Sequence, residues 1–327
     1  MYIQTELELS LVLSTEKFNR LMEMAADTTE QIGGNKHIDQ SLIPKGIVVT
    51  YHNKQYKKKV QLKVEPHIAL DDEKPEPERL VRKLEKRVYD YFGSRYGLND
   101  FILSGVALTA DINVGSHHKV AAYLKVLQRV GKVKGYSPPN GNSLINDLGF
   151  CLIGNSNGVE FWLYDLEGVL REQLSNTENG RKELKAAIDR ASGMLRAEVR
   201  MTKPKAVRAC TEEKNASGQI ADLTGRAEEV FLDAFRHIIP PGDYYKKGET
   251  VKLIQEKIPK NRERKKMLRL LELIPKKKSL WLAMKAMNDR NIDEVIEKFA
   301  ELDVSPVTIS KRHDVKHLKS LHSYLED

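Results

Sequence analysis

Apolar and polar residues alternate with period two in TELELSLVL (Thr5–Leu13) and in FILSGVALTADINV (Phe101–Val114). That is the spacing of half-buried strands. GIVVTYHNKQYKKKVQLKVEP (Gly46–Pro66) predicts a hairpin turning at Asn53-Lys54. GNSNGVEFWLYDLEG (Gly154–Gly168) predicts another, because Asn157-Gly158 accepts the positive φ of a primed turn. GMLRAEVRM (Gly193–Met201) is a further strand. Helical spacing appears over Thr15–Ala26, over Glu78–Phe92 with Leu80, Leu84, Val88 and Tyr91 on one side, and over Lys182–Arg190. Ser116 supplies an N-cap for a helix closing near Gly131. An acidic connector (71–77) and a loop rich in Pro, Gly and Asn (137–142) separate these elements.

From about Gln219 the periodicity is helical alone. It covers Ala221–His237, Glu249–Ile258, Arg262–Ile274, Ser279–Asn288 and Ile292–Leu302, punctuated by Pro240-Pro241-Gly242, Pro259 and Pro275. The change of texture places a boundary between Lys203 and Ala221. The expected class is α+β: an antiparallel sheet with helices on one face (1–210), followed by a small all-helical domain (211–327).

Alternation also assigns faces. In Phe101–Val114, Leu108, Ala110 and Ile112 oppose Thr109, Asp111 and Asn113. In Gly193–Met201, Leu195, Ala197, Val199 and Met201 oppose Arg196, Glu198 and Arg200. The hairpin strand adds Glu160 or Asp165, according to its parity. A sheet covered on one side leaves its other face polar, which explains such residues without any function. The alternative is that Asp111, Glu198 and a hairpin carboxylate converge on Mg²⁺ or Mn²⁺, which take oxygen ligands and often need only one or two from protein. Arg196 and Arg200 beside a carboxylate also suit phosphate. Carboxylates among cations on one sheet face are what metal-assisted phosphodiester chemistry requires.

Lys and Arg exceed Asp and Glu, giving a formal net charge of +8, which suits a polyanionic partner. Eleven Lys/Arg lie between Lys257 and Lys285 against Glu263 and Glu272. Lys276, Lys277 and Lys278 stand at one end of this run. NIDEVIEKFAELDVSPVTISKRHD (Asn291–Asp314) has helix-turn-helix grammar, with Ser305 as N-cap and Pro306 at the first helical position. Thr308, Ser310, Lys311 and Arg312 would then face a groove. Cys151 and Cys210 match no metal spacing and suit reduced thiols. No apolar run of about 18 residues and no leader is present, so a cytoplasmic protein without a membrane span is expected.

LTADINVGSHHKVAAYLKVLQRVGKVKGYSP, GFCLIGNSNGVEFWLYDLEGVLRE and MLRAEVRM occur in this order. They resemble three blocks of phage and plasmid replication initiators of the filamentous-phage gene II/X and related Gram-positive rolling-circle type. The tail DVSPVTISKRHDVKHLKSLHSYL resembles the ends of such proteins. The resemblance implies a sheet whose polar face binds single-stranded or cruciform origin DNA and a divalent metal. It also implies a tyrosine that attacks a phosphodiester and stays linked to the 5′ phosphate. Asp111, Asp165 and Glu198 occupy the matching acidic positions. Cys151-Leu152 stand where relatives carry tyrosine, Leu166 replaces the lysine of Tyr-Asp-Lys, and Ala110 stands near the expected arginine. No His-hydrophobe-His motif occurs, since His117 and His118 are adjacent at a helix start.

With that position lost, Tyr164 is the candidate nucleophile, sharing a strand with Glu160 and Asp165, and Tyr123 follows it. The expected catalytic pair is Tyr164 and Glu198, with Asp111, Glu198, Asp165 and Glu160 as metal ligands. Arg196, Arg200, Lys276, Lys277, Lys278, Lys311 and Arg312 are the expected DNA contacts, and host replication proteins are further partners. Two other classes compete with a nicking initiator: a non-catalytic DNA-binding replication or regulatory protein that retains the fold, and a protein-interaction factor whose charge is incidental.

Overall fold

The structure is a computed structural model that describes all residues except 1, 25–28, 33–34, 39–44, 56, 73, 140–147, 177–180 and 327. The chain begins with β1 (Gln4–Leu13), α1 (Thr15–Met24), β2 (Thr29–Ile32), β3 (Asn35–Ile38), β4 (Ile47–Lys54) and β5 (Lys57–Val64). α2 (Pro66–Leu70), α3 (Pro77–Phe92), β6 (Ile102–Asn113), α4 (His117–Leu127) and β7 (Tyr136–Ser137) follow. Then come β8 (Gly149–Gly154), β9 (Val159–Asp165), α5 (Leu166–Asn176), α6 (Arg181–Arg190) and β10 (Met194–Met201). The rest is helical apart from two short pairing segments: α7 (Pro204–Cys210), α8 (Ala216–Gly225), α9 (Ala227–Ile238), β11 (Tyr244–Tyr245) and α10 (Lys247–Lys257). The chain ends with α11 (Asn261–Lys277), α12 (Leu280–Met287), α13 (Ile292–Glu301), β12 (His317–Leu318) and α14 (Ser323–Glu326).

Strands β1 to β10 make one sheet in the order β2-β3-β4-β5-β1-β6-β10-β9-β8-β7, with every pairing antiparallel. The expected α+β class is therefore the observed one. Alternation works as it should: Leu7, Leu9, Val60, Leu62, Leu108, Phe161, Leu163, Leu195, Ala197 and Val199 are buried on one face. Helices α4, α7, α8 and α9 lie against the strands there, contributing Val120, Val207, Ile220, Phe231 and Phe235. One apolar cluster runs from the sheet through the C-terminal helices to Leu325.

Several local expectations shift. The β4–β5 ladder extends to Lys54 opposite Lys57, so Asn53-Lys54 belong to the strand. In the β8–β9 hairpin only Gly158 takes a positive φ (+77°), and its N–H bonds the Gly154 carbonyl at 3.0 Å. The loop is thus four residues long, not a two-residue primed turn. The helix expected over Ala221–His237 is two helices, broken at Arg226, and the first starts earlier, where Asn215 accepts from Gly218 N at 2.8 Å. Pro275 lies inside the last turn of α11 instead of ending it. Residues 25–26, 56, 73 and 140–142 of the elements expected above lie outside the described residues.

No helix starts at Ser305-Pro306, so the helix-turn-helix expectation is overturned. Ser305 is fully buried, and the chain from Val304 to Ile309 is buried throughout. It runs beside 243–246, with Ser305 N bonded to Asp243 O (2.8 Å) and Ile309 N to Tyr245 O (2.9 Å). An all-buried extended run satisfies its backbone by such pairing, which outweighs the helix-start signal. Thr308 is therefore buried, while Lys311 and Arg312 are exposed beyond it.

Gly193 precedes β10 with φ +72°, and a Cβ there would lie 2.7 Å from Ser116 N and 2.8 Å from Gly115 C. Its carbonyl accepts from Val114 N, tying the starts of α4 and β10 together. Gly193→Ala is expected to destabilise the protein by at least about 1–2 kcal/mol. The denaturant midpoint should fall at unchanged slope.

Candidate functional site: the polar sheet face

The register brings the polar side chains of four strands together. Arg196 stands opposite Asp111 on β6 and Tyr164 on β9. Glu198 lies between Thr109 and Trp162, and Arg200 between Ala107 and Glu160. Across β6, Ala107 faces Glu6 and Gly105 faces Glu8 on β1. Small side chains at Gly105, Ala107 and Thr109 thus floor a trough between Glu6 and Glu8 on one side and Glu198 on the other. Its cleft holds about 470 Å³. Gly105 matters here because a Cβ would stand only 3.3 Å from Glu8 Cβ and Met201 O.

Within this face the side chains are paired. Arg196 holds Asp111 bidentately, Nε to Oδ1 at 2.7 Å and Nη2 to Oδ2 at 2.8 Å, the strong geometry of guanidinium with carboxylate. Glu198, 6% exposed, accepts from the Tyr164 hydroxyl and from Arg200 Nε. The Arg200 guanidinium sits 4.9 Å above the Trp162 ring. Glu160 accepts from Trp162 Nε1 and Thr202 Oγ1, both at 3.0 Å. The hydrogen bond to Asp111 raises the Arg196 pKa further, so that group stays charged.

Tyr164 is 6% exposed and packs with Leu166, Ala191, Val169 and Leu170, so α5 roofs this corner of the otherwise open face. Burial, then the charge and hydrogen bond of Glu198, raise its pKa. Burial and Glu160 likewise push the Cys151 thiol up to about 12. A nucleophile bonded to a base that a third group orients is the arrangement used for covalent catalysis. Tyr123, the second tyrosine candidate, is fully buried on the other side, donating to Lys319 O at 2.7 Å.

The structure therefore brings Asp111, Glu160, Tyr164, Arg196, Glu198 and Arg200 to one face. Asp165 is on the opposite face, because its parity is that of Leu195. There it caps α5, accepting from Gly168 N at 3.1 Å, with His117 Nδ1 3.6 Å away. A capping role explains its burial and separates it from Glu160 and Glu198. Sequence reading missed Glu6 and Glu8. Alternation in β1 marked them as polar-facing, but nothing local shows that β1 lies beside β6.

Glu6, Glu8, Glu65 and Glu198 against Arg196 and Arg200 give the trough a surplus of carboxylates. Oxygen donors of this kind suit a hard cation. Among the described residues no three His, Cys, Asp or Glu side chains are grouped to enclose a metal. Asp111, Glu160 and Glu198 are all engaged by donors, and the carboxylates that line the trough are Glu6, Glu8, Glu65 and Glu198, a set that shares only Glu198 with the four residues expected from sequence.

The basic residues lie elsewhere. Lys276, Lys277 and Lys278 are exposed at the C-terminal end of α11, where cations also complement the helix dipole. A cleft of about 900 Å³ lies between α9, α12 and α13. Its floor is apolar, and its Asp289 is paired with Lys266 at 2.6 Å. Among the described residues no helix is long and apolar enough to cross a membrane. No family model and no curated protein matches the chain.

Proposed function

We propose that this chain is a replication initiator of a phage, plasmid or integrative element that nicks and rejoins origin DNA with Mg²⁺ or Mn²⁺. The observation that carries the reading is the Tyr164–Glu198–Arg200 chain of hydrogen bonds beside an acidic trough on an antiparallel sheet. Glu198 is placed to take the tyrosine proton, and Arg200 holds Glu198 in position. A divalent ion at the trough would offset the charge that develops on the phosphate. It would also let a polyanion approach carboxylates that otherwise repel it. The sequence blocks that resemble rolling-circle initiators fall on these same strands. The work belongs in the cytoplasm, with host replication proteins as partners. The test is incubation with supercoiled DNA of the chain's own element and either metal, read as nicked product.

One observation favours a second reading, a DNA-binding replication or regulatory protein without nicking activity. The Tyr164 side chain is buried beneath α5, and its hydroxyl is engaged by Glu198. Both readings need DNA contacts, and the exposed lysines ending α11 supply some of them. Changing Lys276, Lys277 and Lys278 together to Gln is expected to weaken binding to all duplex sequences alike. The slope of log K against log salt should flatten by up to about three, at roughly 0.9 per phosphate contact. An unchanged slope in a salt titration would leave these lysines a solvated helix end.

A further inference from the structure

We propose that β5 forms a second phosphate-binding bank for single-stranded DNA, with Lys59 and Lys63 as its contacts. This rests on the DNA-binding reading above and gives the strand a path across the sheet. Val60, Leu62 and Val64 are buried, so Lys59, Gln61 and Lys63 project from the open face. The register sets Lys63 opposite Glu8, and Lys59 opposite Val12.

These lysines are not there to protect an edge. Charges on edge strands block unwanted pairing, but β5 lies inside the sheet between β4 and β1. Nor are they locked into the fold. Lys63 Nζ is 3.6 Å from Glu6 Oε1, with both side chains about half exposed (52% and 48%). A pair so exposed is weak and readily yields to a phosphate. Among the described residues Lys59 makes no ion pair.

The surroundings fit a nucleic-acid strand. Beside Lys59, Val12 and Ile102 are 54% and 51% exposed on the same face, Ile102 standing opposite Ser10. Two large apolar side chains in the open offer bases a surface. His52, opposite Lys59 on β4, is held to Gln61 at 2.6 Å and completes this polar bank. The acidic trough lies between β5 and the arginines of β10, three strand spacings or about 14 Å apart. Phosphates are repelled from the trough and attracted at both sides. An extended strand would therefore be held at Lys59 and Lys63 on one bank and at Arg196 and Arg200 on the other, crossing the carboxylates where the metal is proposed.

The experiment measures binding of a fluorescent oligothymidylate to the full chain by anisotropy across a salt series. In Lys59→Gln/Lys63→Gln, affinity should fall, and the slope of log K against log salt should flatten by up to about 1.4, at roughly 0.7 per single-strand contact. Lys59→Arg/Lys63→Arg should restore both. Matched thermal melts show that each variant is folded. Wild-type affinity and slope in the Gln variant would overturn the bank while leaving DNA binding standing. No binding of the oligothymidylate by the wild-type chain would overturn the DNA reading and the bank together. Tighter binding of oligouridylate than of oligothymidylate would overturn the assignment to DNA.

Discussion

Tyr164→Phe is expected to abolish the covalent protein–DNA adduct and to leave DNA affinity nearly intact. The phenylalanine ring keeps the packing against Leu166, Ala191 and Leu170, so α5 retains its seat. Only the hydroxyl is lost, together with its hydrogen bond to Glu198. A buried hydrogen bond to a charged partner contributes about 1.5–3 kcal/mol, so the variant should melt a few degrees lower yet remain folded. Attack on phosphorus needs the hydroxyl itself, and no ring substitutes for it. Adduct on a denaturing gel with 3′-labelled DNA is the readout. An adduct that persists in Tyr164→Phe assigns the nucleophile to another tyrosine, of which Tyr123 is poorly placed, being fully buried with its hydroxyl on Lys319 O.

Glu198→Gln should have an effect of similar size on metal-dependent cleavage. Gln keeps the shape but has one acceptor oxygen where Glu198 uses two, for Tyr164 and for Arg200, and it can neither take a proton nor bind a cation as a carboxylate does. Loss of a positioned base costs about 10²–10⁴ in rate. Asp111→Ala should fall short of that. Asp111 is engaged by both arms of Arg196, so its removal frees a partly exposed guanidinium instead of removing a base. Single-turnover rates at saturating DNA, with Mg²⁺ and with Mn²⁺, separate the two. Equal, wild-type rates in Glu198→Gln would remove Glu198 from the chemistry, and a larger loss in Asp111→Ala would move the centre of the site toward β6.

Period-two alternation carried most of this face into view before any coordinates. Asp111, Arg196, Glu198 and Arg200 read as polar-facing because the buried residues between them are unambiguous. The α+β class followed from hairpins in the first part and helical spacing in the second. Pairing between distant strands was not legible, and that is where the trough arises: β1 stands beside β6 through contacts roughly a hundred residues apart in sequence, as Ser10 to Ser104 at 2.9 Å shows. Asp165 was misplaced because a strand running straight into a helix leaves its last residue open to two roles, and capping won. Ser305-Pro306 gave a sound helix-start signal that tertiary pairing with 243–246 overrode. The burial of Tyr164 also escaped, since the folding of α5 back over the polar face depends on Val169 and Leu170 finding Trp162 and Met194.

The most direct test is the wild-type chain with supercoiled DNA of its own element and Mg²⁺ or Mn²⁺, followed by proteolysis and mass spectrometry of protein bound to a 5′ end. A nucleotide attached to Tyr164, dependent on metal and missing in Tyr164→Phe, is the result predicted. DNA that is bound but neither nicked nor linked under any metal would contradict the enzymatic account and leave the open sheet face a binding surface.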